Sequence, residues 1–274
     1  MILVTGAAGT VGSEVVKELK GRGASFKVGY RNRRTPGVDG VAIDLEKPET
    51  LAPALRGVET VFLLSSSVAP ERNLVAAAKA AGVKRIVKLS VWGASEEGFV
   101  FARWHRAVER AIEASGLAWT FLRPNGFMQN VVNFMGATIK SQSAFYHSAG
   151  GAKISHVDAR DIGAVAARTL TDSGHEGKAY ALSGPESLSY SEIAAALSKA
   201  LGREIRYVAV SDEDYKKGAV AAGIPEAYAE ALIDLNRHYR TGQMSQVTGE
   251  VRAVSGRDPI RFEQFARDHA AALR

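Results

Sequence analysis

The first 123 residues alternate between short apolar runs and stretches with the helical spacing of apolar residues. The apolar runs are bounded by turn residues and occupy 1–5, 26–30, 60–64, 85–90 and 119–123. The helical stretches lie between them, at Val11–Lys20, Glu49–Leu55, Arg72–Ala81 and Arg103–Ala114. Short strands separated by helices predict parallel strands joined by crossover helices. We therefore expect an α/β fold with a Rossmann-type, doubly wound parallel sheet.

Residues 124–152 interrupt this alternation. They contain one charged side chain, Lys140, together with several glycines and six Phe, Met or Tyr residues. A long uncharged connection of this composition either lines a binding site or packs on the core, and both interpretations stay open. The alternation then resumes with strands at 153–157 and 178–184 and a helix from about Ala159. The remainder predicts a smaller, mainly helical C-terminal lobe, with helices near 191–201, 213–222, 226–239 and 262–273 and one strand at 205–210.

The composition of the 274 residues excludes several classes of protein. The chain has no cysteine, which excludes disulfides and cysteine-ligated metals, and its six histidines show no metal-ligand spacing. Strand-like residues begin at Ile2, and the longest uncharged run, 124–139, is too short and too polar to span a bilayer. We therefore expect a cytoplasmic protein with no targeting sequence, no membrane contact and no metal.

The net charge of +6 comes from 35 Lys and Arg against 29 Asp and Glu. These cations are spread along the chain, and only "RNRR" (31–34) forms a tight cluster. A small-molecule phosphate explains one such cluster as well as a nucleic acid does. We expect no nucleic-acid partner.

A glycine-rich turn follows the first predicted strand, in "VTGAAGTVGSEVV" (4–16). A helix N-terminus presents unpaired N–H groups and a partial positive charge, both suited to a phosphate. Gly6 can supply the tight turn, Gly9 the close approach of a pyrophosphate, and Gly12 the packing of helix on strand. A purely structural turn is the alternative, but a position between a first strand and a helix favours dinucleotide binding. The residues assigned to this site are Gly6, Ala7, Ala8, Gly9, Thr10, Val11 and Gly12.

The end of the second predicted strand indicates which dinucleotide is bound. An NAD site usually places Asp or Glu there, about 20 residues beyond the glycines, to accept from the ribose hydroxyls. Here the sequence reads "VGYRNRR" (28–34), with no acid until Asp39. Arg31, with Arg34 as a second candidate, can pair with a 2′-phosphate, for which a planar guanidinium is well matched. We favour NADP(H) over NAD(H), with a solvated basic loop as the alternative.

The glycine motif "TGAAGTVG" resembles the short-chain dehydrogenase/reductase superfamily. Read in order with it, later segments resemble the NmrA-like family of atypical members: "VGYRN", "AAKAAGVKRIVKLS", "AIEASGLAWTFLRPNGFMQN", "HVDARDIGAVAA" and "SYSEIAAALSKALGREI". The resemblance covers most of the chain and weakens after about residue 210. It implies one of two functions. These are NAD(P)H-dependent reduction of quinones, triphenylmethane dyes or isoflavone-like phenolics, and redox-sensing regulation by a protein that binds the dinucleotide without turning it over.

The resemblance also implies roles for residues outside the glycine turn. Asp44 follows a third short strand, where relatives contact adenine, and a helix cap is its alternative role. Ser65 and Ser66, after the strand at 60–64, are assigned to the cofactor site. Ser90 ends the strand "RIVKLS" at the place where the superfamily carries its catalytic serine.

The tyrosine–lysine pair of that superfamily is absent. Typical members use Tyr-x-x-x-Lys, in which the lysine lowers the tyrosine pKa, but no such spacing occurs in this sequence. In the corresponding helix, His105 lies where isoflavone-reductase relatives have their functional lysine. "HRAVE" matches the His-x-x-x-Glu of quinone- and dye-reductase relatives, and Glu109 shares a helix face with His105. We expect this carboxylate to orient the imidazole and raise its pKa, so that His105 donates a proton or hydrogen-bonds the nicotinamide ribose. A structural histidine is the alternative.

Without that tyrosine, we expect an electron-poor acceptor. Hydride transfer to an isolated carbonyl benefits from a nearby acid, whereas a quinone gives a delocalised product that water can protonate. We predict an NADPH-dependent reductase of a small quinone-like aromatic, with a non-catalytic dinucleotide sensor as the alternative. We expect one wall of the substrate site from Asn125, Gly126, Phe127 and Met128, with Trp92 either opposite them or in the core.

These assignments divide the chain into two parts. Residues 1–123 with 153–182 form the predicted NAD(P)-binding Rossmann domain. Residues 124–152 with 183–274 form the smaller, predicted substrate-binding lobe. A homodimer is compatible with these features.

Overall fold

The computed structural model describes residues 1–32, 34–65 and 67–274. Its strands are β1 (Ile2–Val4), β2 (Phe26–Tyr30), β3 (Gly40–Ala42), β4 (Thr60–Leu63), β5 (Arg85–Leu89), β6 (Ala118–Pro124), β7 (Ala144–His147), β8 (Lys153–Ile154), β9 (Lys178–Leu182), β10 (Leu188–Ser189) and β11 (Arg206–Ala209). Its α-helices are α1 (Thr10–Gly21), α2 (Leu51–Ala54), α3 (Glu71–Ala80), α4 (Val100–Ser115), α5 (Gln129–Gln142), α6 (Ala159–Thr171), α7 (Tyr190–Leu201), α8 (Asp212–Ala221), α9 (Glu226–Arg240), α10 (Glu250–Ser255), α11 (Phe262–Asp268) and α12 (Ala270–Leu273). Short 3₁₀ helices lie at Pro48–Thr50 and Gln243–Ser245.

Seven strands form a parallel sheet in the order β3-β2-β1-β4-β5-β6-β9. Within β1, Val4 is paired with Val28 on one side and with Phe62 on the other. The chain therefore builds the sheet outward from β1 in one direction, returns, and builds β4 to β9 in the other direction. This reversal opens a crevice at the carboxyl ends of β1 and β4, which is where open α/β sheets bind ligands.

Helices cover both faces of this sheet. One face packs on α1 and α6 through buried residues that include Val4 and Phe62. The other face packs on α2, α3 and α4 through residues that include Leu3 and Leu63. Consecutive residues go to opposite faces because side chains alternate along a strand, and burial on both faces explains the continuous apolar runs. The predicted α/β fold with a Rossmann-type, doubly wound parallel sheet is confirmed.

A smaller, mainly helical lobe follows, as predicted. Its core is formed by α5, α7, α9, α11 and α12 and includes Phe145, Leu197 and Phe265. Trp92 and Phe99, which precede α4, belong to the same core and connect it to the first part of the chain. Two small sheets complete the lobe, with β7 parallel to β11 and β8 antiparallel to β10.

Residues 124–152 contain α5 and β7, so the prediction of a long connection is wrong. Val131, Met135 and Ile139 are buried at four-residue spacing along α5, which is the pattern of an amphipathic helix. The exposed side of α5 carries one charged residue, Lys140. The contrast between an apolar and a charged face is therefore weak, and the helical period is hard to recognise in the sequence.

The strand predicted at 153–157 is shorter than expected and lies outside the main sheet. Only Lys153–Ile154 forms β8, and it pairs with β10. Val157 instead bonds to the turn after β6, because its N–H donates to the Gly126 carbonyl (2.9 Å) and its carbonyl accepts from the Met128 N–H (3.0 Å). Pairing with a turn rather than with a strand explains the difference.

No described helix combines the length with the apolar composition that a bilayer crossing demands. Within 1–32, 34–65 and 67–274, no three side chains of the metal-binding types come together in one group.

Candidate functional site

The glycine turn joins β1 to α1 at the switch point of the sheet. Gly6 has φ +61°, a left-handed conformation that suits glycine, and its carbonyl accepts from the Gly9 N–H at 3.0 Å. A Cβ added to Gly12 would lie 2.1 Å from the Gly6 carbonyl oxygen. The first turn of α1 therefore packs on the backbone of the glycine turn itself, rather than on the strand as expected for Gly12.

The N-terminus of α1 is open. Gly9 is its N-cap residue, and the cap makes no side-chain hydrogen bond to this 12-residue helix. Ala8, Gly9 and Thr10 are exposed, whereas Ala7 and Val11 are buried and anchor the turn in the core. An exposed helix N-terminus among small residues presents its N–H groups to a ligand. The residues at this turn fit the diphosphate of a dinucleotide.

Both predicted arginines lie just beyond β2, the neighbour of β1. Arg31 is exposed immediately after the strand. The Nε of Arg34 donates to the hydroxyl of Tyr30 at 2.9 Å, and its guanidinium carbon lies 5.3 Å from the centre of that ring. Tyr30 therefore holds Arg34 at the end of the strand, and the two arginines differ in their surroundings.

Asp44 follows β3 and closes a local turn. Its Oδ1 accepts from the Glu46 N–H at 3.1 Å, and its carbonyl accepts from Thr50 Oγ1 at 3.0 Å. The next helix, Pro48–Thr50, has Lys47 as its N-cap residue. The alternative role of Asp44 as a helix cap is therefore wrong, and its half-buried side chain lies at the carboxyl end of β3.

The end of β4 is tied to a buried ion pair. Ser65 Oγ donates to Glu71 Oε1 at 3.0 Å, and the other oxygen of this carboxylate pairs with Lys88 Nζ. Both charged side chains are almost completely buried, although Lys88 lies within β5. Burial raises the pKa of Glu71, and the Lys88 ammonium opposes that shift. Ser66, the second serine assigned here, lies outside the described residues.

Ser90, directly after β5, is held by a second buried carboxylate. Its Oγ donates to Glu109 Oε1 at 2.7 Å, and both residues are buried. Glu109 also accepts from Arg123 through Nε (3.0 Å) and Nη2 (2.8 Å), and from Arg106 Nη1 (3.1 Å). Lys88 and Ser90 are two residues apart and therefore point to the same face of the sheet. Each of these two side chains is bound by its own buried glutamate.

His105 lies one turn before Glu109 on α4, but the Glu109 carboxylate accepts its hydrogen bonds from Ser90 and two arginines. The Nδ1 of His105 is buried and has no hydrogen-bond partner among the described residues. Burial lowers the pKa of His105 well below its usual value, and the Lys88 ammonium adds to this shift. The expectation that Glu109 orients the imidazole and raises its pKa is therefore wrong. At neutral pH His105 is uncharged.

Asn125 ties the end of β6 to the C-terminal lobe. Its side-chain amide donates to Ser155 Oγ and to the Met244 carbonyl, both at 2.9 Å, and its Oδ1 accepts from the Gly126 N–H at 2.8 Å. Asn125 is buried, and these bonds use both its donor and its acceptor groups. In this structure Asn125 fixes the turn that carries the other three residues of the predicted wall.

The other residues of the predicted substrate wall are buried to different extents. Met128 and Trp92 belong to the core of the helical lobe, whereas Gly126 and Phe127 are half-buried. A Cβ on Gly126 would lie 3.0 Å from His156 Cδ2 and 3.1 Å from the Tyr239 hydroxyl. Two side chains that sequence reasoning missed, His156 and Tyr239, therefore pack against this turn. Burial lowers the pKa of His156 to about 4.

The family of the chain follows from comparison with known proteins. The sequence pattern of the NmrA-like family matches residues 1–259 of this chain. This range includes the glycine turn, Ser90, His105 and the turn after β6. The chain belongs to the NmrA-like family.

Three similar proteins are reductases by name. An NAD(P)H azoreductase of Xenophilus azovorans is 41% identical to this NmrA-like protein over 284 aligned positions, with 100% of this chain and 99% of the relative covered. A (4-alkanoyl-5-oxo-2,5-dihydrofuran-3-yl)methyl phosphate reductase of Streptomyces griseus subsp. griseus is 38% identical over 282 positions, with 100% and 99% covered. The structure of an NADPH-dependent quinone oxidoreductase of Escherichia coli, complexed with NADPH, is 28% identical with a TM-score of 0.88, and 98% of this chain and 99% of that chain are covered.

Sequence reasoning missed Lys88 and Arg123, the charged residues that pair with the glutamates bound to Ser65 and Ser90 in this NmrA-like protein. Lys88 lies inside the apolar run "RIVKLS", and Arg123 ends "WTFLR". A charged side chain in a buried strand needs an oppositely charged partner. The sequence at both positions therefore indicated a buried ion pair. The identity of those partners, Glu71 and Glu109, depends on how α3 and α4 pack on the sheet.

Proposed function

We propose that this NmrA-like protein is an NADPH-dependent oxidoreductase that transfers hydride to a small electron-poor acceptor, a quinone or a related aromatic. The observation that carries the proposal is an open dinucleotide turn at the same sheet edge as a half-buried, uncharged histidine whose Nδ1 is buried. The NAD(P)H azoreductase and the NADPH-dependent quinone oxidoreductase among the similar proteins support a reductase.

The cofactor is proposed to lie along the carboxyl ends of the parallel strands, as it does in this class of fold. The N–H groups at the start of α1 bind the diphosphate, and Arg31 pairs with the 2′-phosphate. Asp44 belongs to the adenosine half, and Ser65 and Ser90, after β4 and β5, belong to the nicotinamide half.

The surroundings of His105 favour an acceptor that needs no strong acid. Bound NADPH supplies a hydride, which adds two electrons and one proton to the acceptor. A quinone then needs one further proton, and water can provide it because the negative charge is delocalised. An uncharged His105 offers a hydrogen bond to a ligand, but an imidazolium proton would be scarce at pH 7.

The helical lobe is proposed to bind the acceptor, with residues 124–152 and 183–274 forming the substrate-binding part of the chain. Gly126 and Phe127 are only half-buried and belong to the turn that faces the sheet edge. Met128 and Trp92 support that turn from the core rather than forming its surface. A flat aromatic acceptor suits a wall made from a glycine and a phenylalanine.

Oxidation of NADPH by the purified protein tests the proposal against a panel of quinones, azo dyes and simple ketones, with NADH in parallel. We expect turnover with quinones, little with isolated ketones, and a preference for NADPH. The variant Arg31→Ala should weaken NADPH binding by about 10-fold, because a charge-assisted hydrogen bond is lost. The affinity for NADH should stay nearly unchanged. Arg34→Ala is the comparison variant and should weaken NADPH binding less than Arg31→Ala does, because Arg34 is already bonded to the Tyr30 hydroxyl. Tight NADPH binding without any turnover would instead favour the dinucleotide sensor.

A further inference from the structure

The hydroxyl proton of Ser90 has a fixed direction. Four donors converge on the two oxygens of Glu109, namely Ser90 Oγ, two nitrogens of Arg123 and one of Arg106, at 2.7 to 3.1 Å. A carboxylate has about four lone-pair positions, so these donors fill its capacity and leave no position for a proton. Glu109 can therefore only accept. The single proton of the Ser90 hydroxyl must point at Glu109.

A serine whose proton is used in this way offers only lone pairs to a ligand. The carbonyl oxygen of a quinone is itself an acceptor, and it gains nothing from a second acceptor. The partner of Ser90 must carry an N–H or an O–H group. Ser90 therefore differs from the catalytic serine that the family resemblance implies, which acts on the substrate.

The position of Ser90 indicates which part of the ligand is near. Ser90 follows β5, which belongs to the second mononucleotide half of the sheet, β4 to β6. In a nicotinamide dinucleotide this half takes the nicotinamide end. The carboxamide there has an NH₂ group that can only donate, whereas the ribose hydroxyls can donate or accept.

We propose that Ser90 is a fixed hydrogen-bond acceptor for the carboxamide N–H of the nicotinamide, and that Glu109 is the positioning residue that sets this polarity. The proposal rests on the proposed function only in taking a nicotinamide dinucleotide as the ligand. Arg106 and Arg123 keep Glu109 in place and compensate its buried charge. The orientation of the nicotinamide ring is then set by a network that reaches from β5 through α4 to β6.

The probe is a pair of oxidised ligands that differ at one group. NADP⁺ has the carboxamide, whereas 3-acetylpyridine adenine dinucleotide phosphate keeps the carbonyl and replaces the NH₂ with a methyl group. Both dissociation constants are measured by isothermal titration calorimetry, which needs no turnover. We expect the wild-type protein to bind NADP⁺ about 10-fold more tightly, as expected for one hydrogen bond to a buried group.

Two variants then assign the difference to this pair of residues. Ser90→Ala should reduce the affinity for NADP⁺ to that for the analogue. The affinity for the analogue itself should change by less than about 2-fold. In Glu109→Gln, an amide NH₂ group replaces one carboxylate oxygen among the donors. If this NH₂ group faces Ser90, it donates to the Ser90 oxygen, and the hydroxyl proton turns toward the ligand. We expect the discrimination to fall below about 3-fold in this variant. Ser141→Ala, at an exposed serine of α5, is the control and should keep the 10-fold difference.

Equal wild-type affinities for the two ligands would overturn the proposal, as would a 10-fold difference that persists in Ser90→Ala. Thermal melting checks that each variant folds. If Glu109→Gln does not fold, the wild-type protein and Ser90→Ala still decide the question. Quinone turnover without discrimination between the ligands overturns only the role of Ser90. Discrimination without turnover overturns only the reductase.

Discussion

At the turn between β1 and α1, the groups offered to a ligand are backbone N–H groups, and the neighbouring side chains are as small as Ala8 and Thr10. At the end of β5, the groups offered are the side chains of Ser90 and His105, and buried charges surround them. Both regions belong to the same edge of the sheet.

The two regions differ in how their groups are positioned. Backbone N–H groups are placed by the local path of about ten residues, so the turn is sensitive to any added atom. The side chains beyond β5 are placed by contacts from α3, α4 and β6, so that region is sensitive to the loss of a partner. Different substitutions therefore disrupt the two regions, and their effects on binding and stability can be measured.

The largest effect is expected from breaking the buried ion pair beneath β5. Lys88→Met leaves the Glu71 carboxylate buried without its partner and should reduce the free energy of unfolding by about 3–5 kcal/mol. Urea denaturation followed by circular dichroism measures the change.

The matched control is an exposed pair. Lys84 and Glu59 are paired at 3.1 Å on the surface, and Lys84→Met should change the free energy of unfolding by less than about 1 kcal/mol. The double variant Glu71→Leu with Lys88→Met should recover most of the loss, because an apolar pair avoids burying charge. Equal losses in Lys84→Met and Lys88→Met would contradict this account of β5.

A smaller effect, on binding, is expected from one added carbon atom in the glycine turn. In Gly12→Ala the Cβ would meet the Gly6 carbonyl oxygen at 2.1 Å, so α1 must move away from the turn. A displacement of about 1 Å can change a positioned interaction by about 100-fold, and we expect NADPH affinity to fall by that amount. Fluorescence titration measures it.

Gly21, at the other end of the same helix, is the control for this change. An added Cβ there would have no atom of the described residues within 4 Å. Gly21→Ala should leave NADPH affinity unchanged and raise helix stability by up to about 1 kcal/mol, since alanine favours helix over glycine. A similar loss of affinity in both variants would show that the glycine turn has no special role.

The smallest effect concerns pH. The cationic form of His105 is disfavoured by burial and by Lys88, so its folded pKa lies below the usual value and the imidazole stays uncharged as pH rises from 6 to 8. Quinone reduction should therefore change by less than about 2-fold over this range. His105→Gln, which does not titrate, should show the same flat profile. An inflection near pH 6.5 that disappears in His105→Gln would show that the imidazolium takes part.

Sequence reasoning recovered the features that depend on local chain geometry. The alternation of strands and helices predicted the doubly wound sheet, and the glycine spacing located the turn at its switch point. The family resemblance was confirmed over residues 1–259. Residues 124–152 were mispredicted because the apolar stripe of α5 lacks a charged opposite face.

The arrangement of charges around Ser90 and His105 was decided by the tertiary structure. The four-residue spacing of His105 and Glu109 places them on one face of α4, as the sequence indicates. It does not say which partner the carboxylate takes. Arg123, on β6, and Ser90, after β5, both donate to the Glu109 carboxylate.

The sequence by itself determined the sheet, the glycine turn and the basic cluster after β2, because each follows from neighbouring residues. Only the tertiary structure decided that the proton of Ser90 points at Glu109 and that His105 is uncharged. Burial and the convergence of donors from separate elements set both properties, and neither can be read from spacing along one helix.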